Sequence, residues 1–147
     1  MSEPIRILDF EVDMEDFAEP MSPAVADFPE LGKTQHITGG DRQLTNLEEI
    51  RIRFDYPLNS PVFFSFKNAG GFTLSKFWEC VYLGYLVIYS DEDETALLTA
   101  EDLRPTWRHA RPSTDGKYGI WGHDMDELFL EEIQEKAPGE FWIFIGS

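Results

Sequence analysis

The chain has 147 residues, 42% hydrophobic and 14% aromatic, and its 28 acidic against 12 basic side chains give a formal net charge of −16. That length fits a single domain, residues 1–147, able to bury its own core, and so much aromatic surface argues against disorder. So acidic a surface argues against direct nucleic acid binding, because phosphate neutralisation dominates that affinity. It leaves a basic protein partner, mimicry of nucleic acid on such a partner, or plain solubility as the meaning of the charge.

The single cysteine, Cys80, allows no intramolecular disulfide and no CxxC metal knuckle. The first six residues, Met1 to Arg6, lack a basic start followed by a long apolar run, and the longest apolar segment, residues 81–89, is far short of a membrane span. The expectation is a cytoplasmic protein without membrane contact and without a cofactor.

Residues 5–12 nearly alternate apolar and polar, which predicts a first strand. Residues 7–32 hold no Lys or Arg but eight acidic side chains, with Phe10, Met14, Phe17, Met21 and Phe28 among them. This segment reads as a solvated loop whose aromatics tuck onto the core, or as a docking segment for a basic partner. Ser22 and Pro23 could open one helical turn. Residues 32–46 are polar, contain Gly39-Gly40-Asp41 and read as a loop; His36 stands alone there as a surface residue.

Residues 48–56 alternate cleanly, with Ile50, Ile52, Phe54 and Tyr56 on one face. After a turn through Pro57 and Pro61, residues 62–67 form a second strand, so the two predict a hairpin. Thr73 is placed to cap a helix that runs to about Tyr89, its apolar stripe formed by Leu74, Phe77, Trp78, Val81, Tyr85 and Ile88. Gly84 near that stripe predicts a close approach to a sheet, and Cys80 reads as a small buried hydrophobe. The acidic residues 91–94 should stop the helix, since the dipole disfavours negative charge at that end. Residues 99–102 carry a helix-start pattern, and residues 124–127 could make one more helical turn. Residues 128–135 and 141–145 predict two strands around a Pro138-Gly139 turn. The second is apolar on both faces, as a strand covered on both sides would be.

Residues 104–117 turn locally cationic, with Arg104, Arg108, Arg111 and Lys117 around Trp107 and His109. The adjoining residues 114–124, Thr-Asp-Gly-Lys-Tyr-Gly-Ile-Trp-Gly-His-Asp, interleave three glycines with Tyr118, Ile120, Trp121 and His123. They match no phosphate-loop pattern. A structural loop covering a core edge is one reading. A metal site from His123, Asp124 and Asp126 is another, but it lacks HExxH or EF-hand spacing. A third makes His123 a general base oriented by Asp115 or Asp124, with Arg108 or Arg111 holding an anion. The fourth, preferred among the functional ones, is a protein-contact surface built from Trp107, Arg108, Arg111, Asp115, Tyr118, Trp121 and His123, since Trp, Tyr and Arg are the usual anchors of such surfaces.

Residues 114–131 resemble a motif of a group of small uncharacterised proteins, in which a TDGxYGIWGHD run precedes short D-L and L-E patterns. The helix around residues 72–89 is similar too, so the resemblance covers about half of the chain. It implies a site at this stretch and carries no chemistry with it.

The fold class expected is α+β, a mainly antiparallel sheet of about four or five strands packed on one main helix. The function expected is a small acidic protein-binding domain, of inhibitor, immunity or adaptor type, with no catalytic residue and no metal. The alternative is a small enzyme or anion-binding domain centred on His123 with Asp115, Asp124 and the arginines.

Overall fold

Alternating side chains build the sheet. The structure, a computed structural model, describes residues 6–13, 25–27, 34–36, 42–104, 111–125 and 128–147. Strand β5 (Glu49–Phe54) turns Ile50, Ile52 and Phe54 into the core, and β6 (Val62–Lys67) adds Val62, Phe64 and Phe66. The two pair antiparallel with Ile52 opposite Phe64, so one face of the hairpin is wholly apolar. At the chain's end, β8 (Phe129–Ala137) and β9 (Glu140–Gly146) form a second hairpin. Its β9 lies parallel to β5, with Ile52 opposite Phe141. On the far side, β1 (Arg6–Asp13) lies parallel to β6. The five strands run in the order β1-β6-β5-β9-β8.

Two small pairings complete the described strands. In the first, β2 (Val25–Asp27) meets β3 (Thr34–His36); in the second, β4 (Gln43–Thr45) meets β7 (Phe72–Thr73). The fold is therefore α+β, and among the described residues four of six strand pairings are antiparallel. The polar stretch expected to be loop thus contributes β3 and β4. Short strands of polar residues leave no apolar alternation, and only their partners reveal them. The helical turn expected at Ser22 and Pro23 lies outside the described residues.

Helix α1 (Leu74–Thr95) packs on the sheet's apolar face. Thr73 caps it, its hydroxyl accepting from the Lys76 backbone N–H at 3.2 Å. Phe77, Trp78, Val81, Tyr85 and Ile88 are fully buried, and each contributes about 1.5–3 kcal/mol by leaving water. Gly84 sits where any Cβ would lie 2.2 Å from the Phe54 ring, which is the close approach to the sheet that the sequence predicts. Phe77 meets Phe141 at 5.3 Å and Tyr85 meets Phe54 at 5.1 Å, both edge to face.

One boundary departs from expectation. The helix does not stop before residues 91–94 but continues to Thr95. A short second helix, α2 (Ala100–Leu103), follows with a full capping box between Thr99 and Asp102. Strand β9 departs in a second way. It is flanked by β5 and β8, and its α1 face is closed by Phe141 and Ile143. On the other face Phe144 is exposed and Trp142 lies beneath cations, the Arg53 guanidinium at 4.1 Å and the Lys136 ammonium at 5.0 Å from its ring.

Candidate functional site at the glycine-rich loop

The extra turn of α1 exists because of what lies across from it. Glu92 is 0% exposed. Its Oε2 accepts from the Thr114 hydroxyl at 2.5 Å and from the backbone N–H groups of Gly116 at 2.8 Å and Ile120 at 3.2 Å. Its Oε1 accepts from the N–H groups of Tyr118 at 2.9 Å and Gly119 at 3.1 Å. Burial alone would raise this carboxyl's pKa, but the hydrogen bonds from Thr114, Tyr118, Ile120 and Gly116 outweigh it and hold the group below the ordinary carboxylate range. An unfavourable charge at a helix C-terminus costs about 0.3–1 kcal/mol. Each hydrogen bond to a charged group returns about 1.5–3 kcal/mol, so the loop overrides the dipole.

The neighbouring acids are engaged as well. Asp91 accepts from the Tyr118 hydroxyl at 3.3 Å and faces the Lys117 ammonium at 4.0 Å. Asp93 lies 3.9 Å from the Arg111 guanidinium. Thr95 Oγ1 accepts from the Lys117 N–H at 2.7 Å.

Two glycines fit this embrace. A Cβ on Gly116 would stand 2.6 Å from the Glu92 carbonyl oxygen and 2.7 Å from its carboxyl carbon. Gly119 has φ +68°, and its Cβ would stand 2.2 Å from the Asn59 side chain. The loop also lies along the β5–β6 turn. Leu58 bridges Ile120, and the Trp121 N–H donates to the Pro57 carbonyl at 3.1 Å. That turn, which holds a cis Tyr56-Pro57 peptide, is itself tied to α1 where the Tyr85 hydroxyl donates to the Tyr56 carbonyl at 2.5 Å.

The expected site residues separate under this geometry. Trp121 is 39% exposed and meets Tyr56 edge to face at 5.1 Å, 85° between planes. His123 lies 5.4 Å from Tyr56 and 6.0 Å from Trp121. Its carbonyl accepts from the Tyr89 hydroxyl at 2.8 Å. These three rings form one surface cluster. Tyr118 is buried in the core instead, so its ring belongs to the frame.

Arg111 is buried too. It donates to the Pro112 carbonyl at 3.2 Å and the Thr114 hydroxyl at 3.4 Å, lies 3.8 Å from Asp124, and covers the Tyr89 ring. A guanidinium so engaged stabilises the loop and is poorly placed to hold an external anion. Asp124 also takes Arg104 at 3.1 Å. Asp115 is exposed and lines a separate hollow with Leu97, Leu98, Leu103, Ser113 and Thr114. Trp107, Arg108 and Asp126 lie outside the described residues. Among the described residues no group of three His, Cys, Asp or Glu side chains could hold a metal ion.

Sequence reasoning missed Glu92 and Tyr56. A lone glutamate in an acidic run carries no signal of burial, and its five donors come from residues 22–28 positions further on. The pairing of Gly116 and Gly119 with main-chain donors between them was the available clue.

No family model, no curated protein and no solved structure matches this chain. Among the described residues no helix is long and apolar enough to cross a membrane.

Proposed function

We propose that the chain is a small acidic protein-binding domain, of inhibitor, immunity or adaptor type, that meets a basic partner through the surface around Trp121. The observation that supports this most is a large exposed ring on a rigid base. Trp121 is 39% exposed, while the loop carrying it is fixed to the buried Glu92 carboxylate and braced by Tyr56. A preorganised aromatic anchor loses little entropy on binding. The net charge of −16 would steer a basic partner toward it. The resemblance of residues 114–131 to a shared motif is compatible with a site at this place. A catalytic His123 has weaker support, because Asp115 lines a different hollow and Asp124 and Arg111 face each other.

The test begins with host proteins retained on the immobilised full chain and eluted by salt. Association rates of the purified candidates are then measured across ionic strengths. The expected partner is basic, its association slows as salt rises, and Trp121→Ala weakens it by about thirtyfold, the equivalent of about 2 kcal/mol. A rate indifferent to salt together with unchanged affinity for Trp121→Ala would overturn the reading.

A further inference from the structure

Where α1 ends, two large apolar side chains face water. Leu97 is 86% exposed and Leu98 50%. They connect α1 to the Thr99 cap of α2, so both neighbours of this linker are fixed. With Leu103 they wall one side of a hollow of 310 Å³, and Ser113, Thr114 and Asp115 wall the other. That volume sits at the lower edge of ligand sites, about 300–1,000 Å³. The Glu92 contacts hold Thr114 and Gly116 rigidly, so the polar wall is preformed.

The cations near the hollow are paired, Arg104 with Asp124 at 3.1 Å, Arg111 with Asp124 at 3.8 Å and Lys117 with Asp91 at 4.0 Å, so the unpaired charge beside it is acidic. Residues 91–102 contain Asp91, Glu92, Asp93, Glu94, Glu101 and Asp102 and no Lys or Arg. Glu92 is enclosed, Asp102 caps the Thr99 N–H at 3.0 Å, and Glu101 and Asp93 face Arg104 at 3.7 Å and Arg111 at 3.9 Å. Glu94 and Asp115 are exposed and have no ion-pair partner among the described residues. An apolar floor beside unpaired carboxylates selects an occupant that is apolar at its tip and cationic beside it.

We infer that this hollow takes one apolar side chain from a basic segment of a partner protein, with Lys or Arg flanking it. Leu97 and Leu98 cover the apolar side chain, Asp115 on the polar wall meets a flanking cation, and Glu94, three residues before Leu97, adds acidic charge to that end of α1. The inference rests on the protein-binding reading above and names the kind of segment that binding recognises. A second copy of this chain is a poor occupant, since each carries −16 and would bring the same carboxylates to the contact. An anionic lipid surface is repelled for the same reason.

The probe is a short peptide with a single leucine between lysines, titrated into the full chain and followed by the methyl signals of Leu97 and Leu98. Two control peptides replace the leucine by lysine or the lysines by glutamate. The leucine-lysine peptide should shift both methyls and bind more weakly as salt rises, and both controls should bind at least about tenfold more weakly. The double variant Leu97→Ser, Leu98→Ser should lose the same factor without a change in melting temperature, because both side chains already face water.

Still methyl signals, or equal binding of the all-lysine peptide, would overturn the inference. So would self-association that the double variant abolishes, which would make the patch a contact between copies. Each of these failures leaves salt-dependent, Trp121-dependent partner binding intact. Loss of that partner binding while the peptide still binds would instead count against the Trp121 surface.

Discussion

Glu79 and Glu92 are both buried glutamates of α1, yet their surroundings are opposite. Glu79 lies in the stretch that faces the sheet, among Phe77, Trp78, Cys80 and Val81, with the Lys76 ammonium at 3.9 Å. Burial raises its pKa, and Lys76 pulls it back only in part. Glu92 lies in the last turns and has the Thr114 hydroxyl and four backbone N–H groups around it. Its pKa ends up lowered although burial pushes it up. Desolvation acts on both carboxylates, and the supply of fixed donors decides the sign. The first stretch of the helix is held by apolar area and the last by a polar embrace from another part of the chain.

The largest effect should come from removing that embrace. Glu92→Ala leaves five donors facing a void, and Glu92→Gln puts an NH₂ group among them. Each unsatisfied buried donor costs about 1–3 kcal/mol, and even after partial relaxation toward water a loss of about 3 kcal/mol or more is expected for either variant. At roughly 3 °C per kcal/mol for a chain of this size, the melting temperature should fall by about 10 °C. Amide exchange at Tyr118, Gly119 and Ile120 should accelerate in the same variants. A Glu92→Gln protein with wild-type melting and exchange would show that the loop holds itself.

A smaller effect tests the sheet-facing stretch. Gly84→Ala gains about 1 kcal/mol of helix propensity, but its Cβ meets the Phe54 ring at 2.2 Å. Phe54 is itself fixed against Phe64 and Tyr85. Overpacking of this kind costs about 1–3 kcal/mol, so the net change should be a destabilisation of up to about 2 kcal/mol. Combining it with Phe54→Leu should recover part of the loss in a double-mutant cycle. Additive losses would mean the contact relaxes elsewhere.

These two stretches also differ in how much of them the sequence discloses. The period of Phe77, Val81, Tyr85 and Ile88 and the alternation of Ile50, Ile52 and Phe54 are local patterns, and they give α1, the β5–β6 hairpin and the Gly84 contact. Thr73 and Thr99 cap their helices because capping depends on the next three residues alone. What stays hidden depends on distant partners. The parallel pairings of β1 with β6 and of β5 with β9 have no signature in either strand. The true end of α1 is set by residues 114–120. That Trp121 and His123 lie near each other was legible, because both belong to one short glycine-rich stretch. The burial of Tyr118 and Arg111 was not legible, because in composition they look like contact residues.

The smallest effect separates the two carboxylates by pH. Glu92 has a folded pKa below its unfolded value of about 4.3. Its contribution is therefore complete above that value and is lost as pH falls through the carboxylate range. Glu79 has a folded pKa above its unfolded value. Its ionisation costs the folded state stability at neutral pH, and that cost is relieved as pH falls through the raised value. Wild-type stability in urea should therefore rise slightly on mild acidification before it falls steeply. Glu79→Gln removes the first arm and leaves the second. It gives up a weak pair, since Lys76 remains partly exposed and able to find water. At neutral pH the variant should lie within about 1 kcal/mol of wild type, with a flatter profile through mild acid and the same loss at lower pH. A variant whose profile keeps the wild-type rise would mean Glu79 ionises like a surface group, and the contrast between the two ends of α1 would then rest on Glu92 alone.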